Sequence, residues 1–202
     1  MYLPKSFIMD AEAAADTLRD HAFATLVSRD GETLVASHIP MVYDAEGHRL
    51  LAHLARANPQ WRSWVEQEVL VIFQGVHGYI SPSWYVNQPA VPTWNYEAVH
   101  VYGVPKVIDE PDVVFGILSD LCEQYDPAYA EHFREELDPE WRANMMKAII
   151  AFEIPISRLE AKLKMNQNRG VEDVIGVIEA LTERGQVALA DRMRLANAGR
   201  TK

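Results

Sequence analysis

The sequence predicts a mainly β fold, a barrel or sandwich of antiparallel strands with helices added late in the chain. Three observations predict it. Up to about residue 108, short apolar or alternating runs recur between turn clusters such as Arg29-Asp30-Gly31-Glu32 and Asp44-Ala45-Glu46-Gly47. From Asp109 the apolar positions change to helical spacing, beginning with Val114, Ile117, Leu118, Leu121 and Tyr125 behind Pro111. The 202 residues, 49% hydrophobic, suffice to bury a sizeable core as a single domain over 1–202.

Taken in order, Asp10 is placed to cap a helix over Ala11 to Asp20. Phe23 to Val27 and Thr33 to Ile39 form a hairpin across the glycine turn, and Met41 to Tyr43 pairs with Arg49 to Leu54 in another. Pro59 starts a helical turn that runs through Val65. Val69 to Gln74 reads as a buried strand ending at Gly75, and Pro82, Pro89 and Pro92 make the loop that follows. Beyond Pro92 the residues alternate with period two as far as Tyr102, which is a strand. Helical additions are expected at about 111–147 and 171–196, the second of them stopping and restarting at Arg184-Gly185. Asp138-Pro139 opens one helix, Ala148 to Ile154 is a late strand, and Ile156 to Lys162 reads as a short helix after Pro155.

Composition excludes several classes. The net charge of −10 opposes generic attraction to nucleic acid, although residues 154–202 carry nine Lys/Arg against six Asp/Glu. Eleven acids against Arg134 alone between Asp109 and Glu140 read as a solvated face. No apolar run reaches the length of a membrane span, and the first residues lack the apolar stretch of a signal peptide, so a cytoplasmic protein is expected. The single cysteine, Cys122, precludes an intrachain disulfide and reads as a buried, inert thiol. The seven histidines include no i,i+4 pair, no Gly-rich phosphate loop occurs, and neither a nucleophilic triad nor a helix-turn-helix is evident.

The segment from His77 to Gly103 stands out. Tyr79, Trp84, Tyr85, Trp94, Tyr96 and Tyr102 alternate there with hydroxyls and amides, and Glu97 is its one formal charge. Such surfaces suit a planar polar ligand or a partner chain; the alternative is that they fill a core or a dimer interface. Asn58, Gln60 and Trp61 form a second neutral-polar cluster, and Lys164, Gln167, Asn168 and Arg169 a third. Together they offer what flavin mononucleotide (FMN) needs: cations for a phosphate, amides for a ribityl chain and ring edge, and flat faces for the ring. Residues 164–170 also read as a helix-entry loop, with Asn168 capping and Arg169 solvated.

These residues carry a specific resemblance. M-Y-L-P-K at 1–5, S-H-I-P at 37–40, N-P-Q-W-R at 58–62, F-Q-G-x-H-x-Y-I-S-x-S-W-Y at 73–85, V-P-T-W-N-Y-x-A-V-H-x-Y-G at 91–103 and K-x-x-Q-N-R at 164–169 resemble the PaiB family, FMN-binding negative transcriptional regulators. Met165-Asn166 departs from it, where the family more often has Leu-Ser. The resemblance implies an FMN-binding split barrel, six-stranded and antiparallel as in pyridoxamine-phosphate oxidase, and a homodimer. It places His53, Arg56 and Asn58 where split-barrel relatives hold phosphate and ribityl, Trp84, Trp94, Asn95 and Tyr96 near the ring, and Gln167, Asn168 and Arg169 closing over it, with Ser37, His38, Trp61 and Lys164 as further cofactor-binding candidates. No residue is an evident general acid or base, although His38 or His100 could serve as one. The other function classes are a flavin-dependent oxidoreductase (a flavin reductase or an oxidase of pyridoxamine phosphate) and a cofactor-free interaction protein. Regulation by the first class involves DNA or a protein partner.

Overall fold

The computed structural model describes residues 1–200 and resolves into two compact units. The larger comprises residues 15–73 and 100–159, the smaller residues 1–14, 74–99 and 160 onward. Eight strands, mainly antiparallel, and six α-helices make up the described residues.

In the larger unit, β1 (Phe23–Asp30) and β2 (Thr33–Asp44) form a hairpin registered from Phe23↔Pro40 to Asp30↔Thr33. Gly31, at φ +60°, supplies the left-handed residue that the two-residue turn needs. The two runs expected on either side of Pro40 are one strand. Up to Pro40, β2 pairs with β1; from Met41 it pairs with β3 (Arg49–Ala55). Proline lacks the N–H that a continuous ladder demands, so the change of partner falls where no donor is lost. On its other edge β3 pairs with β7 (Ile149–Pro155), which also pairs with the short β6 (Lys106–Ile108). The first part of β4 (Val69–Ile80) lies on the far side of β1.

Helix α1 spans Ala11–Asp20, and the Asp10 carboxylate accepts the Ala13 N–H at 2.8 Å, the cap expected of it. Helices α2 (Pro111–Tyr125), α3 (Pro127–Glu135) and α4 (Pro139–Met146) all begin at proline, and Asp126 and Asp138 cap the latter two. Helix α3 falls inside the helical addition expected at about 111–147, though no separate start was read for it, and β6 was not expected from sequence. Val114, Ile117 and Leu121 of α2 pack against Leu51 and Ala151 on the strands, which is the apolar stripe the spacing predicted. Beside that core, Arg49 bridges Asp44 (2.8 Å) and Glu153 (2.7 Å). The Gly47 N–H and the Arg49 guanidinium hold the Asp44 carboxyl below the ordinary carboxylate range.

In the smaller unit, β4 does not stop at Gly75. It runs to Ile80, and its glycines leave room for the side chains of Glu97 and Leu189. A Cβ on Gly75 would meet Glu97 within 2.5 Å, and one on Gly78 would lie 2.6 Å from Leu189. Strand β5 (Thr93–Gly103) is flanked by β4 and by β8 (Arg158–Lys164). The short helix expected over 156–162 is therefore wrong. Arg-Leu-Glu-Ala-Lys-Leu-Lys favours a helix by propensity, but strand pairing overrides it and leaves Ala161 and Lys162 buried. Helices α5 (Val171–Glu183) and α6 (Val187–Ala196) close a core of Ile80, Met165, Val174, Val177, Leu181 and Met193. Gly176 lets α5 approach the Trp84 carbonyl, 2.6 Å from where a Cβ would stand. No helix of the described residues is long and apolar enough to cross a membrane.

Candidate functional site

In the larger unit the polar residues gather where β3 leaves the sheet. Arg56 donates its backbone N–H to the Ala148 carbonyl (2.8 Å) and its Nε–H to the Lys147 carbonyl (2.7 Å), so the guanidinium plane is fixed while its side chain stays exposed. Trp61 donates Nε1–H to the Arg56 carbonyl at 3.2 Å. Asn58 caps the 3-10 turn Pro59–Ser63 by accepting the Gln60 N–H (3.0 Å), and its amide donates to Ser37 Oγ at 2.9 Å. Residues 21 positions apart thus meet, because the β2–β3 hairpin folds one back beside the other.

Gln60 anchors the arrangement from beneath. It is 2% exposed, and its Nε2 is shared among the Leu26 carbonyl (3.2 Å), Ser28 Oγ (3.0 Å) and the Val35 carbonyl (3.3 Å). Of the two histidines expected here, His38 lies against Phe23, rings stacked with centroids 6.3 Å apart. His53 pairs across the ladder with Ala151, and its buried Nδ1 has no hydrogen-bond partner. Burial lowers the His53 pKa, which keeps the imidazole neutral.

In the smaller unit the second cluster is built on aromatics. Trp94 is half-exposed and lies near His77 (6.4 Å, stacked) and Tyr79 (6.3 Å, edge-on). Lys164 Nζ donates to the Trp94 carbonyl (2.5 Å) and to Thr93 Oγ1. Burial first, and Lys162 second, lower its pKa. Strand alternation separates the three residues expected to face one ring: Asn95 is buried, its amide 3.3 Å from Met193 Sδ, whereas Trp94 and Tyr96 point the other way. Tyr96 stacks on the Lys162 ammonium at 5.2 Å. Trp84 and Tyr85 carry the guanidinium groups of Arg184 (5.1 Å) and Arg169 (4.4 Å) on their faces.

Gln167 serves its own loop, accepting the Met165 N–H (2.7 Å) and donating to the Leu163 carbonyl (2.7 Å). Asn168 is exposed and does not cap α5, whose N-cap is Gly170. The departure at Asn166 has a local reason. Its φ is +64°, a conformation asparagine tolerates, and its buried amide donates to the Tyr85 hydroxyl at 3.1 Å. Asn166 and Asp173, which accepts the backbone and side-chain N–H groups of Asn87 (2.9 and 3.1 Å), were not singled out as site residues, and Gln60 was read as part of the polar cluster at 58–61 without a site role of its own. The available signals were the family departure at 166 and the Asn-Pro-Gln step that pairs a cap with its first-turn amide. No group of three metal-ligating side chains occurs among the described residues.

A family model described as "Putative FMN-binding domain" matches residues 1–158. "Protease synthase and sporulation protein PAI 2" of Bacillus subtilis is 35% identical over 186 residues, covering 90% of this chain and 89% of that protein. Two solved structures share the fold with TM-scores of 0.64. The FAD and heme binding protein from Mycobacterium smegmatis is 18% identical and covers 79% of this chain and 74% of its own. The flavocytochrome Anf3 from Azotobacter vinelandii is 14% identical, with 81% and 72% covered. The antiparallel sheet with flanking helices is thus the split-barrel fold expected from sequence.

Proposed function

We propose that this chain, which belongs to the PaiB-type family of FMN-binding domains, uses the Ser37–Asn58–Arg56 corner to anchor FMN and works as a regulator of the PaiB type. The observation that carries the anchoring role is the loop after β3. It carries the Arg56 guanidinium, held by one Nε–H bond, and, two residues on, Asn58, which donates to Ser37 and accepts the Gln60 N–H. That donor set fits a phosphate and ribityl chain. The fork retains N–H groups for phosphate oxygens, and the hydroxyl of Ser37 keeps a proton to donate. His53, neutral and with Nδ1 unpartnered, adds an acceptor or donor according to its tautomer. His38 and Trp61 complete the group at its edges. Bound FMN supplies a redox-active ring system.

The residues of the smaller unit make a separate proposal. Trp84, Trp94, Tyr96, Lys164, Gln167, Asn168 and Arg169 are assigned toward the flavin ring, led by the half-exposed Trp94 and the Lys164 ammonium bonded to its carbonyl, whereas the buried Asn95 faces the other side of β5 and is not. Exposed Tyr79 and Trp94 also suit a homodimer contact. Regulation through a protein partner or DNA follows from the resemblance; the acidic charge favours the protein partner. A cytoplasmic setting suits an FMN regulator with one cysteine.

The test is purification with an absorption spectrum, release and identification of the flavin, and titration of FMN into apoprotein. Arg56→Ala is expected to weaken FMN about ten- to a hundredfold, the effect of losing one charge-assisted hydrogen bond. Arg169→Ala reports on the second cluster in the same way. Unchanged affinity for Arg56→Ala, with an intact circular-dichroism spectrum, would retire the anchor. Oxidation of NADH or NADPH by the loaded protein at enzymatic rates would replace the regulator with the oxidoreductase.

A further inference from the structure

A cavity of about 240 Å3 lies wholly within the larger unit, between the start of β7, the end of β6 and helices α2 and α4. Its walls are apolar, with Ile108, Val114, Met146, Ile149 and Ile150 prominent among them. Three charged residues also line it: Arg56, Lys147 and Asp109. We propose that this cavity is a binding site for a small amphipathic monocarboxylate, a single aromatic ring or branched aliphatic chain bearing one carboxylate.

Size, charge and geometry each narrow the occupant. A cavity of about 150 Å3 holds one benzene ring, so about 240 Å3 takes roughly ten heavy atoms, too few for a flavin mononucleotide. The apolar walls demand an apolar body. Two cations against one carboxylate leave the lining with a net positive charge, which an anionic ligand neutralises. Both cations are preset. The Arg56 fork is held by the Lys147 carbonyl, and the Lys147 ammonium spends one of its three donors on Asn144 Oδ1 at 3.1 Å. Ala143 and Met146, one helical turn apart on α4, set the depth available to the body. This site is distinct from the flavin assignment and does not depend on it, although Arg56 borders both.

The experiment uses the full chain as purified and, in parallel, the flavin-free protein. Phenylacetate, a probe of the inferred size, is titrated against its neutral isostere phenylacetamide by calorimetry and by the Met146 methyl resonance. Saturable binding of phenylacetate with a shift of that resonance is expected, weakened at least tenfold for the amide and in Lys147→Gln. Ala143→Trp fills the cavity and is expected to abolish phenylacetate binding while leaving the flavin spectrum and FMN affinity as they were. A Met146 methyl that does not move at millimolar phenylacetate overturns the proposal. So does equal affinity of the flavin-free protein for acid and amide. Loss of the flavin reading alone, with phenylacetate still bound, leaves this site standing.

Discussion

The two units tie neighbouring elements together with opposite chemistry. In the larger unit the hub is neutral: Gln60 lies buried beneath the loop after β3 and distributes its amide among two carbonyls and a hydroxyl. In the smaller unit the hub is charged. Glu97 is 3% exposed, accepts the Val76 N–H at 3.2 Å, and pairs with Arg192 of α6 at 2.5 Å. A neutral amide is cheap to bury but replaceable only by something with the same donors. A buried carboxylate is costly by itself and depends on its counter-charge. The difference teaches where each unit is vulnerable.

Breaking the charged hub has the largest expected effect. Arg192→Ala removes the counter-charge of a buried carboxylate and should lower stability by about 3 kcal/mol in urea denaturation. Replacing both partners, as Glu97→Met with Arg192→Met, should recover much of that loss. A double variant no better than Arg192→Ala would show that the ion pair is not what ties α6 down. Next comes the neutral hub. Gln60→Leu withdraws the shared donor from Leu26, Ser28 and Val35 and should cost about 2 kcal/mol, against about 1 kcal/mol or less for Gln167→Leu in the partly exposed loop. Equal losses would erase the contrast between an anchoring amide and one that serves its own loop.

The smallest effect concerns His53. Burial holds its pKa below the ordinary value of about 6.5, so the unfolded chain takes up a proton that the folded chain resists. Stability is therefore full above about pH 6.5 and declines as the pH falls through the folded value. His53→Leu should give a shallower fall of the thermal midpoint between pH 7.5 and 5.5. An unchanged slope would assign the acid sensitivity in that range to other groups; Asp44, ionised throughout it, is not among them.

What the sequence made legible was local. Asp10, Asp138 and the prolines at 59, 111 and 139 act within one helical turn, so their residue types announce them. What escaped depends on remote partners. Nothing near Gly75 says that Glu97 fills its empty face, and nothing in residues 158–164 says that a strand awaits them, since their own propensity is helical. The site divides in the same way. The residue types at 56–61 suggested a polar corner, but the Ser37–Asn58 contact depends on how β2 and β3 fold together. Alternation along β5, visible in the sequence, already separated Asn95 from Trp94 and Tyr96; the family motif grouped them because it records sequence proximity rather than facing.

The change of partner at Pro40 has a consequence for how disturbance travels. A twelve-residue strand with one continuous ladder would fray or slip as a unit; β2 instead belongs to two ladders that meet at a residue with no donor. Loosening the β1 side up to Pro40 need not break a hydrogen bond on the β3 side from Met41 onward. The first side carries Ser37, beneath the polar corner, and the second leads through β3 to β7, whose pairing closes a gap of about a hundred residues. A local opening of the β1 side can therefore leave intact the β3–β7 pairing, which spans the longer stretch of chain.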